Sequence, residues 1–256
     1  MAVCIWCKGV DVPSALEHII PEALGCPSGF VLSDGTVCRE CNNGLAHLDQ
    51  AVIEDFDIFA YMSGVPRKKG RPCEIRSRGN LIGTQGPNGN EISINMERYP
   101  VTAHDGTNLG GFGNSDRNIQ ASFDRQGDSV KISFSTTIVS KPKFARGIVK
   151  IALSSLAYFL GGELTLSEDF DSVREFVREG KGIRPVLLKQ SSTGGYLNQS
   201  WPPFKSETDG YAVTFRLVGI EFCVDLTLHV TLFPMLKDKA LEAFGETGWS
   251  YLPIDT

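Results

Sequence analysis

An α+β fold is what this 256-residue chain predicts, with a small N-terminal module stapled by cysteines followed by a mixed α+β domain. Three observations lead there. Two pairs, Cys4-Ile-Trp-Cys7 and Cys38-Arg-Glu-Cys41, stand at either end of a short segment. Stretches of period-two alternation, separated by Gly, Asn and Asp, fill the middle of the chain. Past Pro142 the apolar spacing changes to that of a helix, and later stretches return to strand.

Two CxxC pairs at this separation can close one tetrahedral thiolate zinc site, each pair biting the ion from its own turn. Four thiolates leave no open coordination position, so such a zinc is structural, and chemistry would fall to the residues it holds in place. The alternative for Cys4, Cys7, Cys38 and Cys41 is four buried thiols without metal. Leu45, Leu48, Val52 and Ile53 then predict a helix over residues 40–57. Residues 72–140 read as short strands, such as those around 91–95 and 130–135. Helices follow near 143–160 and 168–179, with Ser167 as N-cap and Gly180 as stop. Strands at 211–217 and 221–233 and a short helix over 234–244 complete the reading, which divides the chain into a module (1–62), a basic linker (63–80) and an α+β domain (81–256).

The segment from Cys4 to Asp49, with Leu16-Glu-His-Ile-Ile-Pro21 between the cysteine pairs and Asn42-Asn43 directly after the second, resembles the HNH (His-Asn-His) endonucleases, in the subgroup reading CxxC, Glu-His-Ile-Ile-Pro, CxxC-Asn. The resemblance implies a ββα-metal module, a two-stranded hairpin and a helix around a divalent ion. It implies His18 as general base, and Glu17 and Asn42 as ligands of a catalytic Mg²⁺ or Mn²⁺. The family's central asparagine is missing from residues 31–37. Ser33, Asp34 or Thr36 could orient His18 instead, and so could Asn43 from the helix. The chemistry agrees with these roles. Phosphodiester hydrolysis needs an activated water and stabilisation of charge on the phosphate oxygens, and an imidazole titrates near neutral pH. Neighbouring residues on a strand point to opposite faces, so Glu17 and His18 could serve one ion and one water only if the backbone bends beside them.

Composition is that of a soluble globular protein, and no apolar run approaches a membrane span. A candidate zinc ligand at position four leaves no room for a signal peptide, and thiolate ligands call for a reducing compartment, so a cytoplasmic location is expected. The net charge is −5, and residues 1–60 carry two basic against nine acidic residues, a net −7. Such a module repels a polyanion, so the phosphate-binding charge must come from elsewhere in the chain, or from a protein partner or second copy. Arg67, Lys68, Lys69 and Arg71 form a basic run just after the module, and Lys143, Arg146 and Lys150 recur at helical spacing further on. For each set the plainer alternative is a solvated surface.

His47 and Asp49 fall on the first helix, His47 as a surface residue or further ligand and Asp49 as a brace for the metal site or a surface acid. His104 and His229 read as structural, and Cys26, Cys73 and Cys223 are too scattered for a second site. The expectation is therefore a metal-dependent HNH-type endonuclease acting on nucleic acid, DNA favoured, of a type the resemblance links to restriction, phage defence or mobile elements. A zinc-stapled module that only binds nucleic acid or protein is the alternative. A weaker third reading makes the C-terminal domain a sensor that licenses the nuclease.

Overall fold

A computed structural model of the chain describes residues 2–33, 35–62, 65, 141–190, 197–205, 210–227 and 249–252, together with strands between 74 and 136. The chain is α+β, with three α-helices among the described residues and antiparallel sheets. Strands β1 (Glu17–His18) and β2 (Val31–Leu32) form an antiparallel hairpin, with Glu17 opposite Leu32 and His18 opposite Val31. Helix α1 spans Arg39–Met62. It is amphipathic, and Leu45, Leu48, Val52 and Phe56 mark its buried stripe.

The chain divides into two compact units, Met1–Phe56 with Ser140–Thr256, and Asp57–Val139. The second unit contains a three-stranded meander, β3 (Glu74–Arg76), β4 (Leu81–Gly86) and β5 (Gly89–Ile94). It also contains the pair β6 (Val101–Thr102) and β7 (Asn108–Gly110), and the hairpin β8 (Ile119–Gln126) with β9 (Ser129–Thr136). The strands expected around 91–95 and 130–135 are β5 and β9.

In the first unit, α2 (Pro142–Leu160) begins one residue before the expected 143–160 helix, and α3 (Asp171–Glu179) covers the expected 168–179 helix from its fourth residue on. Pro142 opens α2, where a missing N–H costs nothing. Gly180 ends α3 with φ 76°, a left-handed conformation that suits glycine. Ser167 caps the 3-10 turn Glu168–Phe170 ahead of α3, its hydroxyl accepting from the Asp169 amide. Strands β10 (Val186–Gln190), β11 (Gln199–Ser200), β12 (Phe204–Lys205), β13 (Tyr211–Leu217), β14 (Ile220–Asp225) and β15 (Ser250–Tyr251) make one antiparallel sheet, in the order β11-β13-β14-β10-β15 with β12 also paired to β13. Strand β14 covers the start of the expected 221–233 strand. The rest of that strand past 227, and the expected helix over 234–244, lie outside the described residues.

The division departs from the expected boundaries, because the cysteine module does not stand apart from the C-terminal region. Helix α2 is the reason. From Phe144 to Ala157 all its residues but the half-buried Arg146 are buried, so it must be covered on every side. It packs on α3, β13 and β14, and α1 and the module cover what remains. Phe56 of α1 lies 6.0 Å from Phe144 of α2 and 6.1 Å from Phe222 of β14, which stacks on Phe215 at 5.5 Å. Phe30 of the module meets Tyr158 edge-on at 4.9 Å. The Asn198 amide donates to the carbonyls of Leu24 and Gly25, and its oxygen accepts from the Val218 amide at 2.8 Å.

The α1–α2 crossing turns on Gly147. A Cβ there would lie 2.5 Å from Val52 Cγ2 and 2.9 Å from the Leu48 carbonyl oxygen, so a side chain would push two backbones apart. Gly147→Ala is expected to destabilise the protein by about 1–3 kcal/mol, the cost of overpacking. Gly44→Ala, on the exposed side of α1 with nothing within 4 Å, should instead be neutral or stabilising by up to about 1 kcal/mol. Paired urea denaturation curves measure both.

Candidate metal centre and the hairpin it holds

The sulfurs of Cys4, Cys7, Cys38 and Cys41 all lie within 4.8 Å of one another. A regular tetrahedron of thiolates about 2.3 Å from zinc has sulfur–sulfur edges of about 3.8 Å. The Cys7–Cys38 separation is 3.8 Å. Amides bond to the sulfurs as well. Cys38 N–H donates to Cys4 Sγ at 3.4 Å, and Cys41 N–H donates to Cys38 Sγ at 3.3 Å. Four sulfurs in this arrangement could hold a metal ion such as zinc, and the donor set fits that ion.

Thiol ionisation shows what the metal would relieve. Burial pushes the Cys7 and Cys41 thiols up, and at Cys41 the neighbouring sulfurs add to the effect. Burial acts upward on Cys4 too, but amides of Cys38, Cys7 and Trp6 outweigh it and bring that thiol below its ordinary value. Four thiolates cannot accumulate together without a cation among them.

The cluster fixes the path of the chain on either side. Ile5 N–H donates to the Thr36 carbonyl, Ala15 N–H to Val37 O, and Arg39 N–H to Pro13 O, so the segment bearing the Glu-His doublet leaves and rejoins the cysteines at fixed points. In β1 the two residues diverge as strand geometry requires: Glu17 faces the interior at 2% exposure, and His18 is half-buried. The strand stops at once, with Ile19, Ile20 and Pro21 buried. Asn42, in the first turn of α1, donates its side-chain amide to the Leu16 carbonyl at 3.4 Å, beside the doublet. Asn43 is exposed and lines a surface hollow of about 330 Å³ with Val12, Pro13, Cys38, Arg39 and Glu40, away from the hairpin.

Glu17 has a partner that its sequence neighbourhood does not show. Its Oε1 lies 2.5 Å from Nζ of Lys150, at 1% exposure in the middle of α2. The same ammonium donates to both carboxylate oxygens of Asp49 on α1, at 2.8 and 2.9 Å. One cation therefore serves two carboxylates. Burial alone would lower the Lys150 ammonium's pKa, but Glu17 and Asp49 outweigh it and hold it above the usual lysine range. Burial pushes the Glu17 carboxyl up and outweighs the opposing pull of Lys150, and the neighbouring Asp49 charge adds to the rise. With Glu17 on an ammonium and the Asn42 amide on a backbone carbonyl, these residues as they stand do not fit a catalytic divalent ion.

This arrangement corrects two expectations about the basic residues of α2. Lys150 does not face phosphate, because it is an internal counter-ion. Arg146 is half-buried and donates from Nε and Nη2 to the Val177 carbonyl at 2.9 and 2.7 Å, closing the end of α3. Lys143 alone of the three is exposed. A lysine flanked by Ile148, Val149, Ile151 and Ala152 on a helix apolar all round was the signal for a buried cation in need of a carboxylate. The basic run Arg67, Lys68, Lys69 and Arg71 lies outside the described residues, as do Asp34, Cys73, His104 and His229.

Other candidates take local roles. Ser33 and Thr36 bond each other, hydroxyl to hydroxyl, at 3.2 Å. His47 is exposed with Nδ1 2.8 Å from the Gly44 carbonyl. Cys26 donates to the Phe30 carbonyl, and burial in β14 pushes the Cys223 thiol up to about 12. Lys8, one of the module's two bases, is paired with Asp171 at 2.7 Å. No family model, curated protein or solved structure matches the chain.

Three outcomes are expected. The purified protein carries about one zinc per chain, and Cys38→Ser loses it together with the fold of the hairpin, as metal analysis and circular dichroism would show. Because the raised Cys7 and Cys41 thiols must give up protons to bind, zinc retention falls as pH drops, measurable as release to a chromogenic chelator. Lys150→Met leaves two carboxylates around an apolar side chain and should cost about 3–5 kcal/mol, with part recovered in Lys150→Met/Glu17→Gln; denaturant midpoints decide.

Proposed function

We propose that this chain is an HNH-type endonuclease that hydrolyses phosphodiester bonds of nucleic acid, with DNA favoured over RNA. The observation that supports it is the cysteine cluster around the doublet. A set of sulfurs suited to zinc pins both ends of the segment carrying Glu17-His18 and brings Asn42 to the backbone directly before them. His18, half-buried at a strand end, is the group to take a proton from the attacking water. Mg²⁺ or Mn²⁺, the ion the resemblance implies, would supply charge stabilisation at the phosphate, and Glu17 would first have to be released from Lys150.

The acidic module needs help to approach a polyanion, and its two bases do not supply it. In this reading Arg67, Lys68, Lys69 and Arg71 clamp the phosphate backbone, with Lys143 or a protein partner or second copy contributing. A reducing, cytoplasmic setting suits the four thiolates. No helix among the described residues is long and apolar enough to cross a membrane.

A second reading, a zinc-stapled module that binds nucleic acid or protein without cutting, is favoured by the ammonium on Glu17. Plasmid and oligonucleotide cleavage with Mg²⁺ or Mn²⁺ separates the two. Wild-type protein is expected to cut and His18→Ala to lose at least about a hundredfold in rate while keeping its melting temperature. Wild-type protein inert on duplex, single-stranded and RNA substrates would hand the function to the binding reading.

A further inference from the structure

We propose that Lys150 and a divalent cation compete for the carboxylate of Glu17, so that the ammonium of α2 decides whether the Glu-His doublet can hold an ion. The inference deepens the nuclease reading and rests on it for the identity of the site. An ammonium has three N–H donors. The ammonium of Lys150 donates to Asp49 Oδ1 and Oδ2 at 2.8 and 2.9 Å and forms an ion pair with Glu17 Oε1 at 2.5 Å. The lysine and Glu17 side chains are 1% and 2% exposed.

A divalent ion binds carboxylate oxygen at about 2.0–2.6 Å. On Glu17 it would sit within a few ångströms of the ammonium, in a place with almost no water to screen two cations from each other. Lys150 cannot retreat with its helix. Gly147, three residues before it, holds α2 against the Leu48 carbonyl and Val52, which fixes the backbone from which the lysine extends. The ammonium can leave Glu17 only by turning its own side chain within a stretch of α2 whose residues are nearly all buried, or by opening the α1–α2 crossing. Asp49, at 23% exposure, lets the ammonium keep one partner if Glu17 is given up. The sites of ion and ammonium thus exclude each other, and the choice between them is tied to the packing of α1 on α2.

The test is Mn²⁺ titration of the zinc-loaded full chain, followed by the electron paramagnetic resonance signal of free Mn²⁺. Lys150→Met is expected to bind Mn²⁺ at least about tenfold more tightly than wild type, and Lys150→Met/Glu17→Gln to lose that gain. An unchanged affinity in Lys150→Met, or a gain that survives loss of the Glu17 carboxylate, overturns the proposal. Should Lys150→Met not fold, wild type against Glu17→Gln decides. Glu17-dependent Mn²⁺ binding in the micromolar range or tighter in the wild type overturns competition, and weaker binding supports it. Nucleic-acid cleavage by wild type and its loss in His18→Ala judge the nuclease reading separately. A cutting enzyme whose Mn²⁺ affinity ignores Lys150 would sink this inference alone.

Discussion

One buried ammonium joins the three parts of the first unit. Lys150 sits in the middle of α2, and its two carboxylate partners come from the β1 hairpin and from α1, so hairpin and helix are held to the same point. A charge in such a place is tolerated only when its partners are close and its donors all used, and the cost of leaving any member alone is large. That makes the cluster a register device. Sliding α2 by a turn along α1 would part the buried ammonium from both carboxylates.

The cysteine cluster solves a different problem. Among the described residues before α1 begins at Arg39, the chain contains only a hairpin of two two-residue strands, one 3-10 turn and short turns. Such a segment cannot bury enough apolar surface to define its own path. Sulfurs that could hold zinc define that path from one side, and Phe30 against Tyr158 and Asn198 against Leu24 and Gly25 define it from the other. The doublet lies between these two anchorages, which is why its two side chains have distinct fates: one sealed inside against α2, one toward the surface.

Charge within the module follows the same economy. Lys8 pairs with Asp171, Lys141 lies 3.8 Å from Asp55, and Lys150 answers Glu17 and Asp49. These cations are spent on the protein's own carboxylates, which leaves the outside of the module acidic. Any polyanion must then be drawn in by charge from another segment or another molecule.

By itself the sequence determined the local features: the four cysteines as one cluster, α1 from its apolar stripe, α2 and α3 with Pro142 at the start and Gly180 at the end, and β5, β9 and β13 from alternation. Each depends on neighbours within a turn or a strand, so periodicity and spacing carry it. The strands β10 and β15 were not legible, since β10 is a short, nearly continuous apolar run beginning Val186-Leu-Leu and β15 has only two residues. Nor was the union of the module with residues 140–256, or the place of Lys150. Helical spacing put Lys143, Arg146 and Lys150 on one basic face, but a helix apolar all round has no solvent face for most of its length, and only tertiary packing decides which partner each charge meets. The tertiary structure gave Arg146 to the end of α3 and Lys150 to Glu17, because those were the unpaired carbonyls and carboxylates buried alongside.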